Sequence, residues 1–192
     1  MKKLLLLLAI LVSFGAQAQT TLNGCMGINF GDSKSQVKTV MSSKEGFEFY
    51  RENTETNTVS YINGSFAGRK AVGAVFHFYE DKLHTITVLL QVEYEPKAMD
   101  LYYDVVSDLK SKYEITPTQN HVFRYPFQEG DGHTVTALKR GYADVSTLFG
   151  FNDNNALTVS VTESISIKIV YQHTDLAEQA INKQNQQNKN DY

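Results

Sequence analysis

The sequence predicts an α+β fold: two tandem helix-plus-β-meander units, their strands in an antiparallel sheet and the helices packed on one face. Three observations predict it. First, much of the chain alternates apolar and polar residues with a period of two. Ile86, Val88, Leu90 and Val92 alternate with Thr85, Thr87 and Gln91; Leu157, Val159 and Val161 with Thr158, Ser160 and Thr162; Ile165, Ile167, Ile169 and Tyr171 with Ser166 and Lys168. Strands of a parallel sheet, covered on both faces, would read as unbroken apolar runs. Second, helical spacing is confined to a few short segments. Third, residues 75–88 (VFHFYEDKLHTITV) are echoed by residues 148–161 (LFGFNDNNALTVSV), and each copy follows a helical segment. The echo divides the chain into unit 1, residues 19–94, and unit 2, residues 95–174.

The elements follow in chain order. Lys2 and Lys3 precede an apolar run over residues 4–12, and Ala16-Gln17-Ala18 supplies small residues at a signal-peptidase site. Residues 1–18 therefore read as a secretory signal peptide cut between Ala18 and Gln19, which sends the chain to the periplasm or beyond. The run is too short to span a bilayer and no second one follows, so the mature chain is expected to lack a transmembrane segment. Cys25 is the single cysteine, which excludes an internal disulfide. Leu22-Asn23-Gly24-Cys25 loosely matches a lipidation motif, but Gln17, Gln19, Thr20 and Thr21 separate it from the apolar run, and Asn23 suits it poorly. Lipid anchoring at Cys25 is not expected, which leaves its thiol free or paired with another molecule.

Ser33 and Gln36 have capping-box spacing, and Val37, Val40 and Met41 share the helical face that follows. Asn63-Gly64-Ser65 matches a glycosylation sequon but reads better as an Asn-Gly turn between strands. Pro96 opens a second helix, whose Met99, Tyr102, Val106, Leu109 and Tyr113 recur every three or four residues. The stretch 119–144 is irregular: Pro126 argues against a central strand, and Gly130-Asp131-Gly132 marks a turn. A short helix begins near Asp175, with Leu176, Ala180 and Ile181 as its apolar side. The remainder of residues 175–192 is a polar tail with nothing to bury, expected to be disordered.

Composition narrows function. The net charge is −3 and becomes more negative once Lys2 and Lys3 are removed. Scattered lysines form no basic stripe, which excludes nucleic acid as an expected partner. The aromatic residues are Phe and Tyr without Trp, and they sit in strand-like segments, where sheet packing accounts for them. His77 and His84 would face each other across a hairpin if Glu80-Asp81 were its turn, but Glu-Asp suits so tight a turn poorly and no third metal ligand is placed. His121, His133 and His173 read as surface or rim residues. No phosphate loop, dinucleotide fingerprint or calcium loop is present. No catalytic, cofactor-binding or metal-binding residue is assigned, and no cofactor is expected.

Two resemblances start at the same residues. Gly31-Asp32-Ser33, with Gly150-Phe151-Asn152-Asp153 and Asp81-Lys82-Leu83-His84, resembles the GDSL, or SGNH, esterases, which would make Ser33 a nucleophile. That family needs its Asp-x-x-His last, whereas here it precedes the Gly-x-Asn-Asp block. Val170 stands three residues before His173, and Lys34 replaces the usual aliphatic residue. The echo also aligns residues 150–153 with the strand end at residues 77–80. The second resemblance rests on Gly31, Ser33, Gln36 and Val37 in "FGDSKSQVKTVM". These residues look like the entry of small bacterial envelope domains of the SmpA/OmlA and β-lactamase-inhibitor-protein-like group. It implies a tandem helix-plus-meander architecture and protein binding, and carries over no functional residues. The expectation is a secreted, non-enzymatic binding protein of a bacterial envelope, its ligand unspecified and its partner another envelope protein or a glycan. The alternatives are an esterase using Ser33 and an envelope-assembly accessory factor.

Overall fold

The computed structural model describes residues 21–190, so the signal segment and its cleavage site lie outside the described residues. A small hairpin comes first, β1 (Gly24–Cys25) with β2 (Ile28–Asn29), followed by helix α1 (Lys34–Met41). Strands β3 (Phe47–Asn53), β4 (Thr58–Asn63), β5 (Ser65–Phe66), β6 (Arg69–Tyr79) and β7 (Lys82–Gln91) succeed it. A 3-10 turn at Glu95–Lys97 leads into α2 (Ala98–Tyr113). Then come β8 (Thr118–Phe123), α3 (Thr134–Lys139), β9 (Ala143–Gly150), β10 (Ala156–Val161), β11 (Ser166–Gln172) and α4 (Thr174–Asn190).

The protein is α+β, with one large sheet in the order β3-β4-β6-β7-β11-β10-β9-β8 and β5 added against β6. Every pairing in it is antiparallel. The centre is the β7–β11 ladder, where Ile86 pairs with Tyr171, Val88 with Ile169 and Leu90 with Ile167. The period-two pattern therefore brings the most apolar strands together, and these six side chains are buried on one common face.

Three helices cover that face. Val37 and Met41 of α1 are fully buried, each contributing about 1.5–3 kcal/mol through burial. Lys34 and Lys38 of α1 reach Glu52 of β3 at 3.2 and 2.5 Å, and their hydrogen bonds hold the Glu52 carboxyl below its ordinary range. In α2, Tyr102, Val105, Val106 and Leu109 pack over β10 and β11. Glu114 ends that helix in the left-handed region, with Lys110 and Lys112 in its last turn complementing the dipole. Ala137 and Leu138 of α3 join the same core beside β9.

Four features depart from the sequence reading. The helices do not share one face. α4 packs on β6 and β7 with Lys183 over the ring of Tyr79, which alternates with the core residue Phe78 and points to the opposite side. Ala177 of α4 is only 3 % exposed yet stands outside the main core cluster. The helix expected near Asp175, α4, is also not short: it continues through the polar stretch to Asn190, where the lysines and glutamines that offer no core still favour helix. The sequence echo relates the β6–β7 hairpin to β9–β10, but counting from the two edges of the sheet β6 stands opposite β10 and β7 opposite β11. The echo thus aligns two similar hairpins at non-equivalent positions. Finally, Asn63-Gly64 is a kink where the chain passes from β4 to β5 along the same partner β6. The tight turn falls at Ala67-Gly68, both at positive φ.

Candidate functional site

Ser33 is the N-cap of α1. Its Oγ accepts a hydrogen bond from the Gln36 backbone N–H at 3.3 Å and donates to Gln36 Oε1 at 2.7 Å. The Ser33 N–H donates to that same Oε1 at 2.9 Å, completing the capping box. The remaining neighbour of the hydroxyl is Ser35 Oγ at 3.0 Å. None of these partners is a histidine, and an amide oxygen is too weak a base to activate a serine.

The carboxylates of the other fragments of the esterase-like pattern act as clamps on backbone groups. The Gly31 N–H donates to the Leu83 carbonyl at 2.8 Å, and the Leu83 N–H to the Asp32 carbonyl at 2.9 Å. Asp81 Oδ1 accepts from the Lys34 N–H at 3.0 Å, satisfying one of the unpaired donors in the first turn of α1. Asp32 accepts from the Asn29 N–H at 2.8 Å. His84 turns its Nδ1 to Thr85 Oγ1 at 2.8 Å. Asp153, in the β9–β10 turn, accepts from the Leu22 N–H at 3.1 Å and from Asn155 Nδ2 at 3.1 Å.

The histidines differ from expectation in two ways. Glu80-Asp81 is the two-residue turn after all, with both residues in the left-handed region, and Tyr79 pairs with Lys82 across it. A bulge then pairs His77 with Thr85 and leaves His84 as the extra residue, with the two rings 6.2 Å apart. Burial lowers the pKa of both imidazoles. That of His84 falls to about 4, with the neighbouring His77 and His173 adding to the effect of burial. Among the described residues no group of three or more His, Cys, Asp and Glu is arranged to hold a metal ion.

His121 sits at the rim rather than on the open surface: its side chain is 9 % exposed, with Nδ1 at 2.9 Å from Oε1 of the exposed Glu129. Its Nε2 lies 3.3 Å from the Tyr102 hydroxyl, which bonds Thr147 Oγ1 at 2.5 Å. This Glu–His–Tyr–Thr chain has the makings of a proton relay. Its inner end is sealed, however, because Tyr102 and Thr147 are both 0 % exposed. No substrate reaches that end, and the network instead satisfies a tyrosine hydroxyl carried into the core by the apolar stripe of α2.

The accessible polar surface lies on the opposite face of the sheet, over β9–β11. There Ser146, Ser160, Thr162, Ser164 and Lys168 line an open depression of about 790 Å³ at whose rim stand Asp144 and Glu163. Asp144 is paired with Arg124 at 2.6 Å, whereas Lys168 has no ion-pair partner among the described residues. Ser146, Ser160 and Lys168 are polar members of the alternating strands, while Thr162, Glu163 and Ser164 lie in the β10–β11 turn, so the period-two pattern predicts the face but not its hollow. A second cleft of about 420 Å³ lies at the sheet end, between Leu22, Phe30, Asp153, Asn155, His173 and Asp175. Its key residue went unmarked in the sequence: Asn155 is 7 % exposed, and nothing in "NDNNAL" separates it from Asn152 and Asn154. No protein-family model, curated protein or solved structure matches the chain, and its function is read from its own residues and geometry.

Proposed function

We propose that the chain is a secreted, non-enzymatic binding protein of a bacterial envelope that engages another envelope protein or a glycan through the uncovered half of its sheet. The observation that carries this reading is the asymmetry of the outer face. Over β6 and β7 it lies beneath α4. Over β9–β11 it is bare, hollowed and rich in hydroxyls, with Lys168 at hand. Side chains fixed on paired strands are already ordered, so a partner that docks there meets little entropic cost. Hydroxyls donate and accept alike, which suits a polar ligand surface better than an apolar one.

Two further features support the setting. The signal peptide read in residues 1–18 directs the chain out of the cytoplasm. The order of α1 before β3–β7, then α2 before β8–β11, with β7 and β11 meeting at the centre, is what two tandem units at residues 19–94 and 95–174 would produce. That arrangement favours the resemblance to the SmpA/OmlA and β-lactamase-inhibitor-protein-like group, in which an envelope-assembly role would be one form of the binding function. We read Cys25 as unlipidated, because a lipidated Cys25 would begin the mature chain and remove Leu22, a residue 1 % exposed in the core.

Pull-down from a solubilised envelope fraction tests the proposal. The intact protein should recover a partner that Ser160→Arg combined with Lys168→Glu does not. Equal recovery by both, with the variant folded, would refute this face as the binding surface.

A further inference from the structure

Three polar groups in the depression over β9–β11 have no partner among the described residues: the Ser160 hydroxyl, the Lys168 ammonium and the Glu163 carboxylate. Ser146 of β9 pairs with Ser160 of β10, and Ser160 with Lys168 of β11, so these side chains form one cross-strand row on the outer face. Directly opposite residues stand about 5 Å apart, which brings the stem of Lys168 beside the Ser160 hydroxyl. Glu163 lines the same depression from the β10–β11 turn and is exposed. The other polar groups there are already engaged. Lys139 is held by Glu95 at 2.9 Å, Asp144 by Arg124 at 2.6 Å, and the Thr162 and Ser164 hydroxyls by each other at 3.0 Å.

The apolar lining residues, Val145 and Val161, are buried, so the depression offers no exposed anchor of the kind a protein interface centres on. An aromatic ring stands beside it instead. A Cβ on Gly141 would lie 3.6 Å from Glu163 Oε1. The next residue, Tyr142, is 41 % exposed and alternates with the buried Ala143 toward the outer face, as Asp144 does.

We propose that this depression binds a hexuronate residue of an acidic polysaccharide: Lys168 takes the sugar carboxylate, Glu163 accepts from two adjacent sugar hydroxyls, and Ser160 donates or accepts between them. The inference rests on this face being the binding surface and narrows its partner to one class. The unpaired charges select the ligand. A neutral glycan leaves the Lys168 ammonium without a counter-charge, and a plain polyanion brings Glu163 no hydrogen to accept. A uronate carries a carboxylate and vicinal hydroxyl donors on one ring. The ring of Tyr142 gives the less polar face of that sugar a surface to lie on. The chain's net charge is −3, so no general attraction draws a polyanion to it, and retention has to come from a local site.

Native electrophoresis of the intact protein through gels cast with polygalacturonate, dextran or polyacrylate tests the assignment. Polygalacturonate alone should retard it. Lys168→Met should weaken that retention about tenfold, the loss of one charge-assisted contact, whereas Lys70→Met, an exposed lysine of β6 outside the depression, should change it less than about twofold. Retardation by no gel, equal retardation by polyacrylate, or equal effects of the two lysine variants overturns the uronate assignment. Displacement by free galacturonate at equal residue concentration would make the free sugar acid the ligand and overturn the polysaccharide. In each of these cases the face remains a binding surface if the pull-down recovers a protein that Ser160→Arg with Lys168→Glu loses. No retardation together with a pull-down unaffected by that variant removes both.

Discussion

Asn155→Ala is the substitution expected to cost most for the fewest atoms. Asn155 Nδ2 donates to the Leu22 carbonyl at 2.9 Å and to Asp153 Oδ2 at 3.1 Å, and its Oδ1 accepts from the Thr174 N–H at 3.3 Å. Three segments distant in sequence, the start of the described chain, the β9–β10 turn and the start of α4, are thereby joined at one side chain. Removing the amide orphans a buried carbonyl and a backbone donor. A lost hydrogen bond costs about 1 kcal/mol, and a buried group left unsatisfied about 1–3 kcal/mol, so the expected loss is about 2–4 kcal/mol. With a urea dependence of about 2 kcal/mol per molar, the midpoint should fall by about 1–2 M at unchanged slope. Asn152→Ala in the same turn is the control, since Asn152 is exposed and an exposed substitution should stay within about 0.5 kcal/mol. If Asn155→Ala shifts the midpoint no more than Asn152→Ala, the three segments are not held together through this amide.

Further predictions concern the residues that carry the functional argument. Ser33→Ala should cost about 1 kcal/mol in thermal or urea unfolding as a lost cap, and Ser33→Asp should recover most of it. Neither should change turnover of a small acyl ester, and a turnover abolished in both would restore the esterase reading. Burial pushes the Cys25 thiol up to about 12, so at about pH 8 it should resist alkylation until the protein unfolds, and labelling should track the urea transition. Rapid labelling of the native protein would contradict that placement. At Gly73 an added Cβ would lie 2.3 Å from the Tyr61 carbonyl oxygen. Gly73→Ala must therefore push β4 and β6 apart, at a cost of about 2 kcal/mol or more in urea unfolding.

How much of this was legible follows from the range of each signal. The stripe of α2 and the alternation of β7, β10 and β11 are local and strong; the three strands lie in the middle of the sheet and the helix packs over β10 and β11. α3 escaped because its residues, Thr134–Lys139, are too few for a period to show. β3 has mostly exposed residues on both sides, as an edge strand can, so it shows no inward and outward alternation. The cap that His173 Nδ1 gives α4 is invisible for another reason. It is a hydrogen bond that the helix's own Leu176 N–H donates to a side chain, of a residue type seldom read as a cap, at a helix start where Asp175 and Thr174 look like the better candidates.

The candidate site shows why short motifs mislead. Gly-Asp-Ser, Asp-x-x-His and Gly-x-Asn-Asp are built from the residues that turns and caps need: glycine for positive φ, and serine, aspartate and asparagine for backbone hydrogen bonds. All three gather at one end of this sheet, as catalytic fragments would. Gly31 is at φ +87 with open space around it, Asp32 holds Asn29, Ser33 and Asp81 serve α1, and Asp153 with Asn155 holds Leu22. The Ser33 hydroxyl and the Asp81 and Asp153 carboxylates, which chemistry would need, already bond backbone groups. A serine bonded to its own helix and a carboxylate bonded to a helix N–H must both give up stabilising contacts before they can act on a substrate. The Ser160 hydroxyl on the open face carries no such burden among the described residues, which supports the proposed binding surface over β9–β11 rather than at the motif-rich end of the sheet.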